Sequence, residues 1–295
     1  MSAAKSTAPR TPGREAIASK GWWLAQRWLL LRRASQLGIF SLFLLGPLAG
    51  IWLVKGNLSS SLTLGVLPLT DPFILLQSLA ARAWPSSEAW LGAGIVLAFY
   101  LLFGGRLFCS WVCPVNLIAD AAAWLRRRLG LKGGHAPAAQ TRYWLLGGTL
   151  VAAAVTGSLA WEWVNPVSLT QRGLIFGFGS AWGVVLAIFC YDLLVAPRGW
   201  CGHLCPHGAL YGLLGRVPLP TQLRVSAVRA GKCNDCMDCF TVCPEPQVIR
   251  PALKRSAGQT PLITDADCTA CGRCIDVCSE SVFKLTMRFD QRSES

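Results

Sequence analysis

Eight cysteines near the C-terminus stand in two runs of one form, Cys233-x-x-Cys236-x-x-Cys239-x-x-x-Cys243-Pro244 and Cys268-x-x-Cys271-x-x-Cys274-x-x-x-Cys278. A cubane of four irons and four sulfides needs four thiolates converging on one point. In chains that carry two such clusters, three ligands come from one tight run and the fourth from the other. On that crossed pattern Cys233, Cys236, Cys239 and Cys278 hold one [4Fe-4S] cluster, and Cys268, Cys271, Cys274 and Cys243 the other. The chemistry is one-electron transfer. A zinc site is the alternative, but it expects four ligands in two separated pairs rather than a doubled run of eight. Ser279 stands where the first run has Pro244; proline there shapes the chain and is not a ligand, so the second set is expected intact.

A second cysteine pattern lies upstream. Arg106-Leu-Phe-Cys109-Ser-Trp-Val-Cys113-Pro114 recurs 92 residues later as Arg198-Gly-Trp-Cys201-Gly-His-Leu-Cys205-Pro206, with arginine, aromatic, both cysteines and proline in register. Asp71-Pro72-x-x-Leu75-x-Gln77 likewise answers to Asn165-Pro166-x-x-Leu169-x-Gln171 at an offset of 94. The chain therefore contains two parallel repeats, each a helix, an Asx-Pro turn, a helix and a C-x-x-x-C-P segment. Cysteines four apart share a helix face, and a following proline suits an exit from a helix. If the two pairs are adjacent, Cys109, Cys113, Cys201 and Cys205 converge as a third metal centre or a redox dithiol; the plain alternative is small buried packing residues. Cys190 is unpaired and reads as packing. His203 and His207 flank Cys205 and could ligate metal or move protons, with hydrogen-bonded helix-end histidines as the alternative. No C-x-x-C-H run is present for covalent haem.

These residues need elements to position them, and the composition points to lipid. Of 295 residues, 53% are hydrophobic and 15% charged, and mean hydropathy is +0.42. Apolar stretches from Ala34 to Val54, Ala89 to Gly105, Tyr143 to Trp161 and Gly173 to Tyr191 predict four transmembrane helices. Pro72 to Ala81 is too short to span and reads as a re-entrant or interfacial helix, with Asp71 as N-cap and Pro72 as its first residue. The fold class expected is a mainly α membrane protein, two helix-pair repeats followed by a small α+β two-cluster ferredoxin-like domain. The boundaries are a basic segment over 1–33, a membrane domain over 34–216 and the cluster domain over 222–290, after a Pro218-Leu-Pro220 linker. Val282 to Phe289 alternates as that domain's closing strand. Lys254 and Arg255, in the long loop between the runs, offer a docking face or simply a solvated loop.

The net charge of +13 lacks the aromatic interleaving of nucleic-acid binders and reports topology instead. Lys20, Arg27, Arg32 and Arg33 precede the first stretch; Arg106, Arg126, Arg127, Arg128, Lys132 and Arg142 lie between the second and third; Arg198 follows the fourth. The positive-inside rule puts these segments and both termini in the cytoplasm of a multi-pass membrane protein. Arg32-Arg33 invites a twin-arginine reading, which the long following stretch and the even helix count oppose. On the opposite side Asp71, Glu88 and Glu162 are the carboxylates, and Asp71 and Glu162 are candidates to accept protons from a quinol, or else caps and interfacial groups.

The segments RLFCSWVCPVNLIADAAAWLRRRLGL, RGWCGHLCPHGALYGLLGR and KCNDCMDCFTVCPEPQVI, in this order, resemble the NapH family, ferredoxin-type membrane quinol dehydrogenase components of periplasmic nitrate reductase systems. The resemblance covers nearly all of residues 20–290. It implies two [4Fe-4S] clusters on a cytoplasmic tail, quinol as electron donor, and partners comprising the quinone pool, a periplasmic NapG-like iron-sulfur subunit, a membrane-anchored multihaem cytochrome and nitrate reductase. The eight tail cysteines carry over as ligands, and Cys109, Cys113, Cys201 and Cys205 as a family signature without a settled role. NosR, MauN and CcoG-like proteins share the plan. That breadth keeps a second class open: an assembly or metal-reducing factor that uses cytosolic electrons at the C-x-x-x-C-P pairs. Transport follows only from the parallel repeat and lacks the buried charge or broken helix of a substrate site.

Overall fold

The computed structural model describes residues 11–131, 133–177, 179, 181–254 and 260–290. Lys132 and Arg255 lie outside them. A short helix α1 (Arg14–Lys20) is followed, after Gly21 in the left-handed region, by α2 (Trp22–Ala49). At 1.5 Å per residue, the 28 residues of α2 extend about 42 Å, more than a hydrocarbon core needs. Among the described residues α2 is the one helix long and apolar enough to cross a membrane. The expected first stretch is thus shifted: the helix starts twelve residues before Ala34, so Arg27, Arg32 and Arg33 sit on it rather than ahead of it. It stops at Gly50, whose left-handed backbone turns its N–H back to the Gly46 carbonyl.

Beyond Gly50 the chain forms an antiparallel meander that hydropathy did not reveal, β1 (Val54–Gly56), β2 (Ser60–Thr63) and β3 (Leu67–Thr70). It leads directly into α3 (Pro72–Ala80), and Asp71 caps α3 by accepting from the Phe73 N–H at 3.1 Å. Next come α4 (Ser87–Phe103), α5 (Leu107–Trp111), the amphipathic α6 (Val115–Arg128) and α7 (Thr141–Thr156). The second repeat continues with α8 (Pro166–Phe176), α9 (Ala181–Cys190) running into a π-turn over Tyr191–Val195, a second π-turn over Trp200–Leu204, and α10 (Pro206–Arg216). Asn165 caps α8 as Asp71 caps α3, accepting from the Val167 N–H at 3.1 Å with nearly the same backbone angles. The duplication read from sequence is therefore a duplication of structure. The expected third and fourth stretches are shorter than predicted. Gly157 ends α7 in the left-handed region, and Gly177, with φ 95°, separates α8 from α9, so Gly173 to Tyr191 is two helices rather than one.

The C-terminal unit pairs β4 (Leu223–Ser226) with β5 (Lys284–Met287), from Leu223↔Met287 to Ser226↔Lys284. The closing strand lies inside the predicted 282–289. Between the strands sit α11 (Asp238–Val242), α12 (Ile249–Leu253) and α13 (Arg273–Val277), packed on Val225, Ile263 and Phe283. The two cysteine runs fold alike: Asp235 and Ala270 have φ 53° and 46°, Met237 and Gly272 have φ 64° and 72°. Two left-handed residues per run curl each loop around a common centre. Gly272 is obligatory for a second reason, because a Cβ there would meet Trp28 of α2 at 2.5 Å. Met237 takes the equivalent place and is half exposed.

The tail is docked, not dangling. The Asp276 carboxylate, fully buried, accepts from the backbone N–H groups of Trp28 and Leu29 and from Arg273. Lys20 donates to the carbonyls of Ile275 and Cys278, and the Gly13 N–H to Asp238. The α4–α5 junction is equally tight, since a Cβ on Gly105 would lie 1.9 Å from the Tyr211 carbonyl oxygen and 2.7 Å from the Gly215 nitrogen, both backbone of α10. Gly105→Ala should cost about 1–3 kcal/mol or more, the range for overpacking, and lower the thermal midpoint in detergent. Gly147→Ala on α7, where a Cβ meets nothing within 4 Å, should leave it unchanged or slightly raised.

Candidate iron-sulfur centres and the charge cluster between them

The twelve motif cysteines fall into three sets of four. Cys233, Cys236, Cys239 and Cys278 line one small cavity with Phe240, Val282 and Phe283. Cys243, Cys268, Cys271 and Cys274 line a second with Val248 and Ile263. The first three thiols of each set come from a curled loop, and the fourth is handed over from the other run, because α11 and α13 pack together and end at Cys243 and Cys278. Cys109, Cys113, Cys201 and Cys205 line a third cavity with Phe108, Trp161, Asn165, Trp200 and His207. Cys190 is in none of the three.

Each set offers four soft sulfur donors with largely apolar walls, the donor set a [4Fe-4S] cubane requires. Backbone N–H groups also reach sulfur: Gly208 donates to Cys205 Sγ at 3.5 Å and Val282 to Cys278 Sγ at 3.4 Å. Such bonds tune a cluster's potential. In the tail, burial pushes the Cys239 thiol up to about 12 and the Cys268 thiol up to about 11, in the latter case against the pull of the Ala270 N–H, Arg224 and Arg106. Metal binding there is coupled to loss of the thiol protons.

The third cavity is built by the repeat. Asn165, Pro166 and Val167, at the start of α8, line it together with Cys205 and Gly208 at the start of α10. Two helix N-termini thus carry their partial positive charge to the sulfur cluster of side chains. The sequence reading placed the Asx-Pro turns and the C-x-x-x-C-P segments at opposite ends of the helices; the short helices α3 and α8 instead bring them into contact. Asp71 is hydrogen-bonded through Oδ2 to His207 Nε2 and accepts from Tyr211 Oη at 3.1 Å, while Trp161 Nε1 donates to His207 Nδ1 at 3.0 Å. Glu162 does not join this group. It accepts from Asn165, Ser168 and Ser59 and fastens the meander to α8. Glu88 is exposed in the first turn of α4, and among the described residues His203 makes no comparable contact, its Nδ1 being buried without a bond.

A buried charge cluster, not anticipated from the sequence, joins the third cavity to the second. Arg106, the leading arginine of the first motif, donates to Glu245 Oε1 at 2.9 Å, to the Asp267 carbonyl at 3.0 Å and to the Cys201 carbonyl at 3.2 Å. Arg142 binds both Asp267 oxygens, at 2.6 and 2.8 Å, and the Gly202 carbonyl. Glu245 lies two residues beyond Cys243 and Asp267 directly precedes Cys268, so adjacency to a ligand was the one signal in the sequence. Arg198, the leading arginine of the second motif, does the same on the other side, reaching the Val242 carbonyl at 3.2 Å and Asp120 at 2.9 Å. Asp120 also pairs with Arg32 and Arg33 of α2. Burial raises its carboxyl, but Arg198, Arg32 and Arg33 outweigh that and hold it down at about 2.

Two family models match the chain, one described as a 4Fe-4S binding domain over residues 89–132 and 176–224 and one as a 4Fe-4S dicluster domain over 232–282. The first brackets the two C-x-x-x-C-P segments and the second the eight tail cysteines. The "Ferredoxin-type protein NapH" of Escherichia coli is 52% identical over 97% of this chain and 98% of its own length, and that of Haemophilus influenzae 47% over 98% and 100%. The "Methylamine utilization ferredoxin-type protein MauN" of Methylorubrum extorquens is 53% identical over 93% and 94%. No solved structure matches.

Arg106→Ala would leave the buried Glu245 carboxylate facing only the more distant Arg142, 3.9 Å away, while Asp267 keeps its pair with Arg142, a loss of about 3–5 kcal/mol for a broken buried pair. Faster proteolysis across 217–222 with an intact N-terminal part is the expected readout. Because the folded carboxyl of Asp120 is depressed, its contribution is fully present above about pH 4, the ordinary carboxylate value, and is lost only as pH falls toward about 2. Docking that weakened between pH 8 and 6 would show that another group controls it.

Proposed function

Because the chain belongs to the NapH-type family of ferredoxin-type proteins, MauN relatives included, we propose that it is a membrane-bound carrier that takes electrons from quinol and passes them toward a periplasmic nitrate reductase. The coarse chemistry, iron-sulfur electron transfer, is common to both matching family models. The observation that carries the finer reading is the alignment of the four-cysteine cavity with the tail. Arg106 touches the Cys201 carbonyl on one side and the Asp267 carbonyl, beside Cys268, on the other.

In this reading Cys233, Cys236, Cys239 and Cys278 ligate one [4Fe-4S] cluster, Cys268, Cys271, Cys274 and Cys243 a second, and Cys109, Cys113, Cys201 and Cys205 a third centre. Each such group takes up or releases one electron at a time. The chain's own residues do the rest. Arg106, Arg142 and Arg198 fix the tail against the third cavity, and the starts of α8 and α10 favour added negative charge there. Phe108, Trp161 and Trp200 keep water away.

The chain crosses the membrane four times in this reading, with α2, α4, α7 and the α9 helix with its π-turn as crossings and α3 and α8 as re-entrant helices. Support comes from the cationic segments: Arg106, Arg142 and Arg198 all contact the tail, and under the positive-inside rule the tail and both termini would then share the cytoplasmic side. Electrons would leave to a NapG-like periplasmic subunit and a membrane-anchored multihaem cytochrome. The 53% identity to the MauN protein favours a second reading with the same electron entry and a methylamine-linked acceptor.

Purified protein should contain about twelve irons, four for each of three cubanes. A Cys109→Ser, Cys201→Ser double variant should lose about four of them while keeping both tail-cluster signals in electron paramagnetic resonance. A wild-type content of about eight irons would remove the third centre, and clusters that stay oxidised on adding quinol would remove the donor.

A further inference from the structure

A cavity of about 400 Å³ lies between α2, the meander, α4 and α5, lined by Leu42, Phe43, Val96, Phe99 and Phe108 among other apolar side chains. Its polar lining is confined to hydroxyl groups and one carboxylate, that of Asp71. The volume falls in the range of small-molecule sites, about 300–1,000 Å³. Two of its lining groups also reach the four-cysteine cavity. Phe108 lines both, and Asp71 is bonded to His207, which lines the second.

A buried carboxylate is costly among apolar walls unless it is paired or used. Asp71 is 6% exposed and holds three contacts, from Phe73, Tyr211 and His207. An ionised carboxylate has about four acceptor sites, so one remains for a ligand. The equivalent cap in the second repeat is Asn165, which satisfies the same helix end without charge. Capping alone therefore does not require an acid at 71. What the position adds is a proton acceptor, placed where an apolar cavity meets a cavity of four thiols.

Resting on the functional reading above, we propose that this cavity binds the ring of a hydroquinone and that the Asp71 carboxylate accepts its hydroxyl protons. Oxidation releases two electrons and two protons. The electrons pass singly, past Phe108, to oxidised iron-sulfur clusters, each of which is reduced by one electron. Asp71 takes the first proton and returns it to water on the meander side, where Ser61, Thr63 and Thr70 line the cavity, before taking the second. His207 and Tyr211 act as positioning residues that hold the carboxylate in place.

The test uses the full-length protein in detergent. Binding is read by fluorescence quenching of a hydroxyquinoline N-oxide, a quinol analogue, and electron entry by the rate at which decylubiquinol bleaches the clusters. Val96→Trp, which fills the cavity, should weaken probe binding at least tenfold. Asp71→Asn copies the natural Asn165 cap and should keep probe binding within about twofold, while slowing cluster reduction about 100-fold, the lower end for loss of a general base. Iron content and dithionite reduction report that each variant is folded. Wild-type binding of the probe that Val96→Trp leaves intact would put the quinol site elsewhere and overturn this inference while sparing the functional reading. Unchanged decylubiquinol kinetics in Asp71→Asn would overturn the proton role. A wild type that neither binds the probe nor is reduced by decylubiquinol would overturn the functional reading itself.

Discussion

Four charges packed between the duplicated helical part and the C-terminal unit, Arg106, Arg142, Glu245 and Asp267, set where the tail sits. Arg106 and Arg142 are each 2% exposed, and their partners Glu245 and Asp267 are 7% and 20% exposed. Taking such groups out of water offsets most of what their attraction returns, so the cluster is a poor source of net stability. Its value is positional. The bonds from Arg106 and Arg142 to the second motif and the tail end at or near cysteines: Cys201 and Gly202 in the second C-x-x-x-C-P motif, Glu245 two residues after Cys243, Asp267 directly before Cys268. Moving the tail by one residue's length would break several charge-assisted bonds at once, which fixes the spacing between two sulfur-lined cavities.

The same constraint explains why α2 is longer than a membrane requires. Its first turns run beside α13, where Asp276 accepts two of its backbone N–H groups and Trp28 closes over Gly272. Arg32 and Arg33, a few residues on, share Asp120 with Arg198. The tail is therefore gripped from three directions, by both leading arginines of the repeat and by the first helix. A tail held this way keeps fixed internal neighbours.

Duplication supplied two equal halves, and single residues then divided the labour. Asp71 and Asn165 cap equivalent helices with the same geometry, yet only the acid lies beside the large apolar cavity, while Asn165 lines the cavity of four thiols. The second half contributes His207 and Tyr211, which reach across to the first half's cap. Symmetry of backbone with asymmetry of side chain lets one scaffold place a buried carboxylate and a cavity of four thiols next to each other.

The spacing of the cysteines determined, without any structure, that the chain handles electrons through iron and sulfur, because thiolate number and order are local properties of the sequence. The Asx-Pro caps of α3 and α8 were readable for the same reason, as were the repeat and the strand at 284–287. Helix lengths were less so. Hydropathy merged α8 with α9 across Gly177 and ran α2 into β1, since it measures average polarity and not the backbone conformation at one glycine. The convergence of Cys109, Cys113, Cys201 and Cys205, the Asp71–His207 contact and the arginine cluster were decided by tertiary structure alone. They join residues 60 to 161 positions apart, and no local pattern records which buried charge will find which partner once helices pack.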